Sequence, residues 1–252
     1  MDKATLIGLI LGFGAVFGGQ VLEGGSIMAL IQGTAFLIVL GGTAGATFVS
    51  FPLKTILKAF RDVKTVFSYE EKDPSSIIKL LAGYADKARR NGLLALEEEG
   101  KKSSDRFIRK GISIMVDGGD AKQLQEFLEI EITAFEEETK GSAEVFEAAG
   151  GFAPTICIIG AVLGLIHVMH NLSDTSKLGE GIAVAFVATI YGLMTANIIC
   201  IPISTKIKRR MKEELLLKEI ILKGLLDILD GVNPRFIVEK LQGFYLEKQQ
   251  QQ

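Results

Sequence analysis

Four long runs without an acidic or basic residue divide this chain. Ala4–Leu22 lies between Lys3 and Glu23, and Gly24–Leu53 follows after the short link Glu23–Ser26. A second pair, Ala148–Ser173 and Gly181–Thr205, is joined by the polar link Asp174–Glu180. Each run reaches the roughly 17–25 residues that a helix needs to cross a bilayer core. The pattern predicts two helical hairpins through a membrane, with polar segments after each.

In the polar segment 54–147, apolar residues recur at helical spacing. Ile77, Ile78, Leu80, Leu81 and Tyr84 follow Asp73-Pro74, a cap and first-turn proline. Leu93, Leu94 and Leu96 are expected to continue that apolar face up to Glu97–Glu99. Arg106–Val116 presents Phe107, Ile108, Ile112 and Met115, and Asp117–Asp120 reads as a break with an N-cap at its end. Leu124, Phe127, Leu128, Ile130, Ile132 and Phe135 begin a long helix with no stop signal before span three. In the tail, Leu215–Leu229 is one helix, Asp230–Pro234 a stop and restart, and Arg235–Leu246 a last helix before an expected disordered end, Gln249–Gln252.

No stretch alternates as a strand would. The fold class is an all-α membrane protein: four transmembrane helices, a large helical insert between spans two and three, and a helical C-terminal tail. The expected divisions are 1–53, 54–147, 148–205 and 206–252. Basic residues follow the second and fourth runs: Lys54, Lys58, Arg61 and Lys64, then Lys206, Lys208, Arg209, Arg210 and Lys212. The two short links carry only Lys177. The positive-inside rule therefore puts insert, tail and both termini in the cytoplasm. The first run has no convincing cleavage site and is read as an uncleaved span.

Charge and composition narrow the function. A net charge of -2 over 252 residues gives no sign of nucleic-acid binding. Cys157 and Cys200 sit in apolar runs and read as small buried thiols, not a disulfide or a metal site. No phosphate loop, zinc-ligand spacing or nucleophile elbow occurs, so an enzyme has no support. His167 and His170 share a helical face near the outer end of span three, where they reach water more readily than they form a metal site. The spans hold no Asp, Glu, Lys or Arg. Ion transport needs an ionisable group at depth, so in that role another chain supplies the carboxylate. The polar wall candidates are Thr34, Thr43, Thr47, Thr155, Thr189, Thr195 and Asn197, and membrane threonines most often bond their own backbone.

Several separated segments carry a family likeness. They are Gly150–Met169 (GGFAPTICIIGAVLGLIHVM), Gly179–Pro202 (GEGIAVAFVATIYGLMTANIICIP), Ala88–Glu97 (ARRNGLLALE) and Gly231–Leu241 (GVNPRFIVEKL). With four spans and the loop between spans two and three, the sequence resembles the MotA/PomA family of flagellar motor stator proteins over nearly its whole length. The resemblance implies an ion-channel-forming stator subunit in the bacterial inner membrane, without cofactor, converting flow of a coupling ion into torque. Its implied partners are a single-span, peptidoglycan-anchored MotB-type subunit whose aspartate carries the ion, and the rotor protein FliG. Its implied assembly is a pentamer around a partner dimer, embedded in lipid.

By the same resemblance, Pro154 and Pro202 are conformational hinges, and Thr189 and Ala161 join Pro154 along the ion path. Arg89 and Glu97 engage the rotor, with Arg90 the neighbouring choice of arginine. Ala161 stands where sodium-driven members carry threonine, so the coupling ion is expected to be H+. Cys157 stands where many relatives have glycine. The alternatives are a TolQ/ExbB-type energiser of outer-membrane transport, which usually has three spans, and a passive membrane scaffold.

Overall fold

The computed structural model describes residues 3–68, 73–170 and 175–250. Among them there is no strand, and four helices are long and apolar enough to cross a membrane. Span one is α1, Lys3–Leu22. Span two is α2, Gly33–Ser50, interrupted by a π-helical turn at Leu37–Gly41. It starts later than the uncharged run suggested. Glu23–Gln32 forms a longer link, because Gly24 takes a positive φ of 78° and a 3-10 turn at Ile27–Leu30 follows.

The amphipathic helix α3, Leu53–Ser68, comes next. The insert continues with α4 (Pro74–Asn91), a 3-10 turn (Leu93–Leu96), α5 (Glu97–Lys102) and α6 (Arg106–Val116). The 50-residue α7, Ala121–His170, runs without a stop into span three, Pro154 included. Span four is α8, Thr175–Met194, followed by a π-helical turn at Thr195–Cys200 and by α9, Ile201–Leu229. The tail helix is thus continuous with span four rather than starting near Leu215. Of the expected outer link, Asp174 lies outside the described residues and the remainder is already helical. The last helix, α10, covers Pro234–Gln250, so it takes in two of the expected disordered glutamines; Gln251 and Gln252 lie outside the described residues.

Local chemistry explains the boundaries. Asp73 accepts from the Ser75 amide with Pro74 in the first turn of α4. Asp120 and Gln123 bond each other's backbone amides, a reciprocal cap at the head of α7. Gly231 at φ 72° closes α9, and Asn233 accepts from the Arg235 amide to open α10.

The chain divides into two compact units, Met1–Tyr69 with Glu138–Arg209, and Glu70–Glu137 with Arg210–Gln252. The first holds the membrane helices. Spans three and four are joined by a seam of small residues: Gly160 lies against Ala188, Gly164 against Gly181 and Ala185, and Gly192 against Ala153 and Cys157. α3 covers the lower end of this unit, where Ile56 and Ala59 are buried with Ala143, Phe146 and Ile207.

The second unit has a core of large side chains. Ile78, Leu81, Leu96, Phe107, Ile112, Leu128, Ile220, Leu225 and Leu241 are all buried there. Three sequence readings fail in this unit, the first at Leu80, which is 41% exposed although Ile78 and Leu81 are buried. Gly92, at φ 81°, ends α4 and turns the chain, so Leu94 is 71% exposed instead of extending the apolar face. Phe127 and Ile130 sit on the outer side of α7 and are also exposed, although their spacing is helical.

Candidate functional site

In the membrane unit the small-residue seam decides which side chains share a face. Successive residues of an α-helix are rotated by about 100°. The pairs 157/192, 160/188 and 164/181 show that spans three and four run antiparallel. One step onward from a seam position therefore turns side chains of both helices to the same side. Ala161 follows Gly160, Thr189 follows Ala188, and Pro154 follows Ala153. Three of the residues singled out in the sequence thus lie on one face, Ala161 and Thr189 at the same level.

The same step predicts who else stands there. Ile158, Leu165, Ile182, Phe186 and Leu193 each follow a seam residue, and each is between 41% and 69% exposed. The face is a broad apolar surface with one hydroxyl. That hydroxyl, Thr189 Oγ1, donates to the Ala185 carbonyl at 3.1 Å. Thr43, Thr47 and Thr155 likewise bond backbone carbonyls of their own helices, and Asn197 donates to Leu193 O. No Asp, Glu, Lys or Arg belongs to this face. Span two covers the opposite side of the seam, with Ile38 and Val39 near Gly160 and Gly42 near Ile156.

The two prolines differ. Pro202 follows a π-helical turn in which the Ile201 amide reaches back to Ala196 O. Proline removes a backbone donor, and a widened turn is one way for a helix to absorb it. Pro154 lies inside the α-helical α7, after Gly150 and Gly151.

Tyr191 carried no signal in the sequence. Its hydroxyl donates to Leu30 O at 2.6 Å and accepts from the Gln32 amide at 3.3 Å, fastening span four to the link before span two. Its partners are some 160 positions away in sequence, so no local pattern could point to it. His167 lines a groove of about 240 Å3 with Thr34 and Glu180, and no cluster of metal-binding side chains is found among the described residues.

In the second unit, α4, the Leu93–Leu96 turn and α5 form a corner studded with charge. Arg90 pairs with Asp86 through both Nη2 and Nε, Lys87 with Glu99 at 2.8 Å, and Lys102 with Glu98 at 3.9 Å. Glu97 pairs with Lys101 at 2.6 Å. That hydrogen bond and the ammonium charge hold the Glu97 carboxyl below the usual carboxylate range and push Lys101 up. Arg89 is exposed and has no ion pair among the described residues. Of the two neighbouring arginines, only Arg90 has an ion pair among the described residues.

Comparison with known proteins adds to these geometries. A family model described as the MotA/TolQ/ExbB proton channel family matches residues 99–220, and one described as motility protein A N-terminal matches residues 6–92. The chain is 38% identical to motility protein A of Bacillus subtilis (strain 168) over 242 residues, 96% of this chain and 90% of that one. It is 36% identical to the chemotaxis protein PomA of Vibrio alginolyticus over 247 residues, 98% and 96% of the two chains. A chain in the structure of C. jejuni MotAB superposes with a TM-score of 0.91 at 31% identity, covering 97% of this chain and 96% of that one.

Proposed function

We infer the mechanism from one premise: this chain belongs to the motility protein A family, within the MotA/TolQ/ExbB proton channel family, and is a multi-pass stator subunit of the flagellar motor. We propose that the face bearing Pro154, Ala161 and Thr189 meets the membrane helix of a MotB-type partner. The observation that carries this is the face itself: exposed, apolar, at membrane depth and without a carboxylate of its own. An apolar wall of this kind favours the neutral form of a partner's aspartate over the charged form. Ion binding then changes how the partner fits against spans three and four.

The membrane potential supplies about 2.3 kcal/mol per charge per 100 mV to drive each cycle. Ala161 presents a methyl at the level of Thr189, and a methyl cannot replace the water of a sodium ion. The coupling ion we assign is therefore H+. In our reading five copies surround a partner dimer, both termini are cytoplasmic, and the Arg89/Glu97 corner engages the rotor protein FliG. Opposed charge patches orient such a partner. Pro202 and its π-helical turn form one hinge and Pro154 the other.

The test is deletion of the gene, with flagella scored by electron microscopy and swimming scored in the same cells. Paralysed cells with normal filaments are expected. Normal swimming in a strain with no second stator overturns the reading. Swimming of the wild type that stops without sodium overturns the assignment of the ion.

A further inference from the structure

A groove of about 410 Å3 opens between α1 and the end of span four. Gly8, Leu9 and Gly12 form one wall, Ile198 and Pro202 the other, and Lys206 stands at its mouth. The volume falls within the roughly 300–1,000 Å3 typical of small-molecule sites.

α1 buries no residue of its own. Gly12 approaches Ile198, and Thr5 Oγ1 accepts from Lys206 Nζ at 2.7 Å. A Cβ added at Gly8 would meet nothing within 4 Å. Gly12 thus packs closely on Ile198, while Gly8 leaves room beside it. Both walls belong to helices apolar and long enough to cross a membrane.

Polarity is confined to one end. The ammonium of Lys206 and the hydroxyl of Thr5 mark the mouth, and the neighbouring sequence adds Lys3, Lys208 and Arg209. Lys208 is paired with Glu147 at 2.6 Å. Deeper in, the lining is apolar except for the Asn197 amide, whose N–H donates to Leu193 O. A basic mouth over an apolar slot between membrane helices is the arrangement that takes an anionic headgroup with its acyl chain.

We propose that this groove binds one anionic phospholipid, its phosphate at Lys206 and one acyl chain along Gly8, Gly12 and Ile198. The assignment of the lipid to the cytoplasmic leaflet rests on the orientation proposed above; the site itself does not.

The test uses the full stator complex with its partner subunit in nanodiscs. Phosphatidylglycerol carrying a photoactivatable acyl chain is compared with phosphatidylcholine carrying the same chain, and labelled peptides are mapped by mass spectrometry. Labelling around Leu9 and Ile198 is expected to be at least about fivefold stronger with the anionic probe. Gly8→Leu puts a side chain into the slot from a Cβ position with nothing within 4 Å, and should remove the label while complex size is unchanged. Lys206→Ala should bring the two probes to parity, whereas Thr5→Val, which keeps the ammonium, should not. If Gly8→Leu fails to assemble, the Lys206→Ala and Thr5→Val pair decides alone. Equal labelling of the wild type by both probes overturns the proposal. So does a disulfide from Leu9→Cys to a second copy, which would place a neighbour's helix in the slot. Neither outcome touches motor function, which the deletion tests separately.

Discussion

The seam between spans three and four and the core of the second unit solve the same problem by opposite means. At the seam the contacts are made by Gly160, Gly164, Gly181, Gly192, Ala153, Ala185, Ala188 and Cys157. In the second unit they are made by Leu81, Leu96, Phe107, Ile112, Leu128, Ile220 and Leu225. Water drives large side chains together, whereas lipid tails are as apolar as leucine and give no such drive. Close approach of backbones, with its dispersion gain, is what remains. The seam therefore tolerates no added atoms, while the soluble core tolerates no lost ones.

Adding to the seam is the harshest way to test this contrast. Gly164→Leu would put a Cβ 2.8 Å from Gly181 O and 3.0 Å from the Ala185 amide, both backbone atoms that cannot yield. We expect loss of the protein from the membrane and of motility, read by immunoblot and swimming. Gly14→Ala, where a Cβ meets nothing within 4 Å, should change neither. Removing from the soluble core comes next. Leu225→Ala should cost about 2–5 kcal/mol, seen as a lower melting midpoint of the purified complex with membrane level maintained at low growth temperature.

Surface charge should matter to torque and little to folding. Arg89→Glu should cut swimming speed more than Arg90→Glu does, because Arg90 is already committed to Asp86. Normal expression with equal slowing by both would remove the distinction. The smallest effect is expected at Glu97. Its pKa is lowered by Lys101, so the contribution of the pair is present above the unfolded carboxylate value of about 4.3 and is lost as pH falls through the lower folded value. Both groups are exposed and screened. Lys101→Ala should therefore leave the melting midpoint unchanged between about pH 6 and 8, as judged by calorimetry.

The same contrast explains what the sequence could disclose. Spans, caps and breaks are local events, and the Asp73-Pro74 start, the Asp117–Asp120 break and the Asn233-Pro234 restart were all legible. The exposure of Phe127 and Ile130 was not, because periodicity shows that a face exists and not what it meets. Leu94 was misjudged because a single positive φ at Gly92 overrides the apolar count. For the candidate site, likeness nominated Pro154, Ala161 and Thr189, yet their common face was not legible. That face follows only from the pairing of Gly160 with Ala188, which brings Ala161 and Thr189 level. Tyr191 stayed hidden because both its partners are remote in the chain.

The π-helical turn at Thr195–Cys200 also acts as a phase correction. Between Ala188 and Ser204 the buried positions fall at 188, 192, 196, 200 and 204, four residues apart each time. In an unbroken α-helix each such step would drift by about 40°, and the stripe would wind off its neighbours within a few turns. The wider turn takes up the surplus, so one stripe stays buried from the membrane interior to the basic residues beyond it. Deleting a single residue between Thr195 and Cys200 would restore a regular helix and leave the segment past Pro202 in phase, because the widened turn already absorbs that residue. Lost instead would be the widened turn that accommodates Pro202, although no packed side chain had been replaced.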